Sequence, residues 1–298
     1  MKEKIYFVLS MIIFGAVGVF AKYIELSSSE IALLMSLIGS LLLFIVCVLT
    51  KIKVSWHNMK KNALALLLAS ISLSGNWIFL FQSYKETTIA NAALSYYFAP
   101  VLVIVMSPIV LKEKLSLKKV LCVCAALFGL ILILQSGRSD EHGNHLLGIV
   151  YGLIAATFYA ILTITNKFIR NMNGIEITFS QLLLSSVLLI PYLFITEEKL
   201  GLFQISSNSV ILILILGILH TGVGFYLFFS GMKGLEGQSI AILSYVDPLT
   251  SLLISALVIG ERMTLVQILG AVLLLGSTFI SEVSTKMKNP SRKNRLLS

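Results

Sequence analysis

Ten stretches of about 18 to 23 predominantly apolar residues follow one another along the chain, each long enough to cross the hydrocarbon layer as a helix. They run over about 4–22, 29–50, 63–83, 88–110, 117–135, 146–168, 177–195, 209–230, 237–259 and 264–284. Lipid offers the backbone no water to bond to, so only helices and closed barrels can span it. The runs lack the two-residue alternation of barrel strands. The expected fold is therefore an all-α integral membrane bundle of ten transmembrane helices. With 57% of residues hydrophobic and 12% charged, and a mean hydropathy of +0.94, composition lies outside the range of soluble domains. Lys2 and Lys4 ahead of the first run resemble the start of a signal peptide, but its length and the nine runs after it predict a retained span.

The loops set an expected orientation. With the N-terminus in the cytoplasm, 18 of the 23 basic residues fall on the inner side, and only Lys22, Lys85, Arg138, Lys199 and Arg262 face out. Basic loops stay in the cytoplasm, which predicts a multi-pass plasma-membrane protein with both termini inside. The net charge of +9 then describes a basic cytoplasmic face lying on anionic lipid, and calls for no nucleic acid.

The chain also repeats itself. At a constant offset of 148 residues, Lys85, Tyr97, Pro100, Ser107, Glu113 and Lys114 align without a gap on Lys233, Tyr245, Pro248, Ser255, Glu261 and Arg262. Apolar matches would mean little in such a chain, whereas shared Tyr, Pro and Glu at fixed spacing indicate an internal repeat. Fainter echoes are Glu30-Ile31 against Glu176-Ile177 and Lys22 against Lys167. Five spans per half force the second copy to enter the membrane from the opposite side. The expected plan is thus two inverted five-helix repeats, 1–137 and 146–284, joined by an external linker 138–145 and followed by a basic cytoplasmic tail 285–298. Such halves suit alternating access around a site near the bilayer midplane.

These residues carry a resemblance. Leu94 to Ile133, with Tyr97, Pro100 and Lys112-Glu113-Lys114-Leu115, resembles the fourth and fifth helices of the EamA family of the drug/metabolite transporter superfamily. Asp247-Pro248, Gly260-Glu261-Arg262-Met263 and Gly270 resemble the matching part of its second half. The resemblance covers nearly the whole chain and implies a central cavity lined by the first, third, fourth, sixth, eighth and ninth helices. It implies a transporter without naming a substrate. Two departures stand out: no basic residue lies between Ser36 and Ser40, and the first helix has no mid-membrane carboxylate.

Polar groups at membrane depth are costly and tend to face the interior. Asp247, the one acid near the middle of a span, is expected to contact a substrate ammonium or to couple protons, or else to bond a neighbouring helix. Pro248 and its counterpart Pro100 are expected to bend their helices. His220, beside Gly222 and Gly224, is expected to form a relay or charge pair with Asp247, or simply to pack. Asn76, Trp77, Tyr96, Tyr97, Tyr159, Tyr226 and Tyr245, with Gln82 and Asn91, are candidate walls for a zwitterionic or amphipathic ligand, each also explicable as packing. Lys85 and Lys233 are expected to snorkel to headgroups. Glu113 and Glu261 are expected to cap the following helix or to pair with a basic residue of another loop. Gly15 and Gly18 fit close helix contacts. Cys47, Cys122 and Cys124 fall inside spans and read as packing residues. The loop Asp140 to His145 reads as a solvated linker rather than a metal site, and no cofactor is expected.

The function these readings favour is a secondary transporter, an exporter of amino acids or related small organic metabolites. No nucleotide-binding motif is present, so a proton or the solute gradient would drive it. An integral-membrane lipid-modifying enzyme and a non-transporting scaffold are the alternatives.

Overall fold

The computed structural model describes residues 2–51, 54–112, 117–136, 144–196, 201, 205–232 and 243–287. They form α1 (Lys2–Gly15), α2 (Val17–Lys22), α3 (Ser28–Leu49), α4 (Trp56–Lys61), α5 (Ala63–Glu86), α6 (Ile89–Tyr96), α7 (Ala99–Leu111) and α8 (Leu117–Ser136). Then come α9 (His145–Asn166), α10 (Gly174–Thr196), α11 (Ser207–Ile215), a π-helical stretch Leu216–Gly224, and α12 (Phe225–Met232). The last elements are α13 (Val246–Ile254), a second π-helical stretch Ser255–Ile259, and α14 (Leu265–Met287). No strand occurs among the described residues. Seven helical runs there are long and apolar enough to cross a membrane: Lys2–Lys22, Ser28–Leu49, Ala63–Glu86, Ile89–Leu111, His145–Asn166, Gly174–Thr196 and Ser207–Phe228. Val246–Ile259 and Leu265–Ser277 are shorter apolar helices, and α8 supplies another apolar helix of 20 residues.

Helix starts follow from local chemistry. Ser27 and Glu30 form a reciprocal capping box ahead of α3. Asn173 and Glu176 do the same ahead of α10, where Glu176 accepts from Asn173 N at 2.8 Å and Asn173 Oδ1 accepts from Glu176 N at 3.0 Å. Each satisfies amides that a helix start leaves without partners. The burial pattern inverts that of a soluble protein. Leu49, Ile109, Ile195, Leu257 and Leu265 stand exposed, whereas Ser10, Ser36, Ser70, Ser83, Ser95 and Ser185 are fully buried. Many of these serines return their hydroxyl to a carbonyl one turn back, as Ser70 does to Leu66 at 2.7 Å, so most of the small polar interior is satisfied within its own helix.

α3 packs on α10, α5 along α9, α8 along α14, and α1 against α12 and α13. The α8–α14 contact is backbone on backbone, since a Cβ on Gly129 would lie 2.6 Å from the carbonyl oxygen of Gly270. Several runs expected to be continuous are interrupted. The first breaks at Ala16, the fourth at Tyr97-Phe98, the ninth at Ser244-Tyr245, and the eighth widens into a π-helix. Pro100 and Pro248 sit in the first turn after their breaks, where a proline lacks an amide that would be idle anyway. The prolines thus restart helices instead of bending continuous ones.

Gly15 lies against α13, and a Cβ there would fall 2.5 Å from Asp247 O and 2.8 Å from Thr250 Cβ. Gly15→Ala is therefore expected to cost about 1–3 kcal/mol, measured as a lowered unfolding temperature in detergent. Gly276→Ala, whose added Cβ meets nothing within 4 Å, should leave that temperature unchanged or raise it slightly.

Candidate functional site

The broken helices meet at Asp247. It occupies the first turn of α13, where the positive end of the helix favours a carboxylate. Tyr97, the residue at which α6 stops, donates its hydroxyl to Asp247 Oδ1 at 2.5 Å. Tyr97 stacks obliquely on Tyr96 at 5.6 Å, and Tyr96 meets the edge of Tyr159 at the same separation. On the other side α1 brings Gly15 onto the Asp247 backbone, and α2 brings Gly18 onto Tyr84 of α5. Ser251, one turn after Asp247, is buried with no partner for its hydroxyl among the described residues. Asp247, Tyr96 and Tyr97 remain half-buried, not sealed. A half-buried carboxylate edged by phenol rings, with an idle hydroxyl nearby, can take a hydrogen-bond donor or a cationic group.

The other candidates divide. His220 does not join Asp247. It lies in the π-helical stretch with its ring 5.1 Å from Phe14, and its Nδ1 is buried without a partner among the described residues. Phe14 and Gly15 are consecutive on α1, so this helix separates the histidine from the aspartate. Asn76 donates to the Ala155 carbonyl at 2.9 Å, tying α5 to α9. Trp77 is buried against Phe81. Tyr245, the counterpart of Tyr97 at the repeat offset, packs edge-on against Phe279 of α14 at 5.2 Å, and the first-half counterpart of Asp247 is Ala99, which offers no carboxylate. Tyr226 is 40% exposed on α12 and takes no part in the hydrogen bonding of Asp247. Lys85 departs from the snorkelling expectation, because its ammonium donates to the Leu26 carbonyl. Glu113, Lys114, Lys233 and residues 140–143 lie outside the described residues. His145 holds the Thr87 hydroxyl at 2.8 Å through Nδ1. No group of three or more metal-type ligands occurs among the described residues.

A second polar junction gathers around Glu261. Gly260, in the left-handed conformation at φ 76° that favours glycine, ends the second π-helical stretch and turns Glu261 back toward it. Glu261 Oε1 accepts from the Ile89 amide at 3.0 Å and from Lys22 Nζ at 3.0 Å. Its Oε2 accepts from the Ala90 amide at 3.3 Å and from the Ser255 hydroxyl. With Thr88 Oγ1 holding the Asn91 amide at 3.1 Å, the first three amides of α6 are all satisfied. Gln267 of α14 donates to Asn91 Oδ1 at 2.9 Å just beneath. Glu261 thus pairs with a distant basic residue, Lys22 at the end of α2 rather than in a loop, and the helix it caps is α6 and not the one that follows it. The roles of Ser255, Gln267 and Ser251 were not legible; the Gly-Glu pair after an apolar run was the available signal.

The EamA-like transporter family model matches this chain twice, over residues 1–135 and 146–282. The chain belongs to the EamA-like transporter family. Among similar proteins, an uncharacterized transporter YxxF of Bacillus subtilis is 31% identical over 94% of this chain and 89% of its own length. An uncharacterized transporter of Archaeoglobus fulgidus is 29% identical over 92% and 94%. The uncharacterized inner membrane transporter YicL of Salmonella typhimurium is 23% identical over 94% and 95%. A solved crystal structure with 17% sequence identity superposes at a TM-score of 0.63 over 96% of this chain and 98% of that one, which establishes a shared fold. This EamA-like chain is accordingly a multi-span membrane transporter.

Burial alone would raise the Glu261 carboxyl, but the Ser255 hydroxyl, the Ile89 amide and Lys22 outweigh it and hold the group below its ordinary value. A depressed folded value contributes stability above the unfolded value of about 4.3, and that contribution disappears as pH falls through the folded value. The unfolding temperature of Glu261→Gln should therefore lie below wild type at pH 7, by the equivalent of about 1–3 kcal/mol. The gap should close progressively between pH 5 and the acid limit; a constant gap would contradict the ionic role.

Proposed function

We propose that this membrane protein is a secondary transporter that exports an amino acid or related small organic metabolite across the plasma membrane by alternating access, with Asp247 as the binding or coupling carboxylate. The observation that carries the reading is the Tyr97–Asp247 contact at the meeting point of broken helices, each half supplying one partner. Discontinuous helices near the midplane are where secondary transporters build their sites.

The same reading arranges the chain as ten helices in two inverted repeats, 1–137 and 146–284, with both termini in the cytoplasm. Several features support it. Lys112 and Gly260, 148 positions apart in the numbering, both adopt the left-handed backbone, at φ 54° and 76°. Breaks fall at Tyr97 and at Tyr245, again the repeat offset. Glu30 and Glu176 close equivalent capping boxes at the starts of α3 and α10. The packing is consistent with exchange of the halves: α5 on α9 corresponds to α12 on α1, and α7 on α9 to α13 on α1. In this orientation the Glu261 junction is external, and Asn62, Arg170 and Asn171 line the cytoplasmic end.

His220 and the tyrosines Tyr96, Tyr159, Tyr226 and Tyr245, with Asn76 and Trp77, remain proposed contributors to the cavity or its walls, secondary to Asp247 and Tyr97. Counterflow of a radiolabelled amino-acid panel in proteoliposomes tests the assignment. Asp247→Asn should lower the flux of any transported compound about tenfold or more, the loss of a charge-assisted contact of about 1.5–3 kcal/mol. Undiminished flux would remove Asp247 from the mechanism.

A further inference from the structure

Two short segments are set off from the long helices by a break, α2 after Ala16 and α6 before Tyr97-Phe98, and a third, the π-helical stretch Ser255–Ile259, continues α13 to Gly260. Glu261 touches all three, through Lys22, through the Ile89 and Ala90 amides, and through Ser255. Its partners on α2 and α6 belong to one half of the chain, and Glu261 and Ser255 belong to the other. The Lys22–Glu261 pair is not sunk in the core, with side-chain exposures of 27% and 12%, so water can reach and replace it.

What makes this more than a structural cap is the other end of α6. Its first two amides are held by Glu261, and the residue that terminates it, Tyr97, is bonded to Asp247. Eight helical residues span about 12 Å, and a helix of that length moves as one body. α6 thus directly links the Glu261 junction to the Asp247 carboxylate. A change at either end is therefore felt at the other as a tilt or shift of α6.

We propose that α6 is a lever joining a latch to the binding site: Glu261 and Lys22 hold one end of the transporter shut, and occupation of Asp247, by competing for the Tyr97 hydroxyl, loosens that latch. Release of Glu261 in turn frees α6 to withdraw Tyr97. The inference deepens the transport reading and rests on it, because it assigns the step by which one access route is exchanged for the other. Linkage requires the effect to be reciprocal, so weakening the latch must also change how the Asp247 site is reached.

The test uses the full-length protein with Cys47, Cys122 and Cys124 replaced and a single Ser251→Cys reporter beside Asp247. A membrane-impermeant methanethiosulfonate is applied separately to each face of the membrane, without substrate. Glu261→Gln and Lys22→Gln should each raise the labelling rate from the Glu261 end about tenfold, within the 5- to 150-fold range of coupled sites. Lys22→Arg, which keeps the charge, should label at the parent rate, and Tyr97→Phe should raise labelling from the same end. Having two latch variants guards against failure of one to insert, and monodisperse elution from detergent confirms folding. Labelling unchanged in both neutral variants would overturn the latch even where counterflow is normal. Accelerated labelling without counterflow of any compound would leave the latch standing and sink the transport assignment instead.

Discussion

A polypeptide in hydrocarbon must satisfy its own amides and carbonyls, and the layout of this molecule follows from where it departs from that condition. Long helices meet it automatically. Interruptions do not, and each one needs a neighbour to supply the missing bond or a turn that conceals it. The interruptions at Ala16, at Tyr97-Phe98 and at Ser244-Tyr245 are not scattered. The first and third adjoin one another through Gly15 and the Asp247 backbone, and the second reaches the same aspartate through Tyr97. Irregular backbone at depth is tolerable only where protein or a water-lined space surrounds it, so its concentration supports the proposed site independently of the charge on Asp247.

Much of this was legible in the residues. Membrane class and helical character follow from run length and composition, and Asp247 stood out because a mid-span acid is costly. The repeat offset connected Tyr97 with Tyr245 and Pro100 with Pro248, the very places where the chain breaks. Less visible was what each break would touch. A hydropathy run reads 88–110 as one span, since Tyr97 and Phe98 are as apolar as the helix around them. Likewise the pattern could set His220 at the depth of Asp247 but not around α1 from it: Phe14 and Gly15 are adjacent in sequence yet point to different neighbours. Side-chain direction on a helix changes by about 100° per residue, so equal depth does not imply contact.

Glu261 illustrates a different limit. Sequence logic assigns an acid at a helix boundary to the nearest helix start, which here would be α14. The left-handed Gly260 turns it away from that start and into the amides of α6, more than 170 positions earlier. Thr264 and Gln267 cap α14 in its place, the Gln267 side chain accepting from Thr264 N at 2.8 Å. Local capping was thus already satisfied, which released the glutamate for a contact between the halves.

The glycine at position 15 has a mechanical meaning. Where two helices interlock by side chains, sliding one past the other means lifting every knob from its hole and resetting its rotamer. At Gly15 there is no knob. The α1 backbone rests directly on the Asp247 carbonyl and the Thr250 methine, so the two surfaces meet like a shaft and a plain bearing. Displacement along that contact proceeds without a ratchet of rotamer changes, so the resistance to sliding is lowest beside the carboxylate we propose as the binding group.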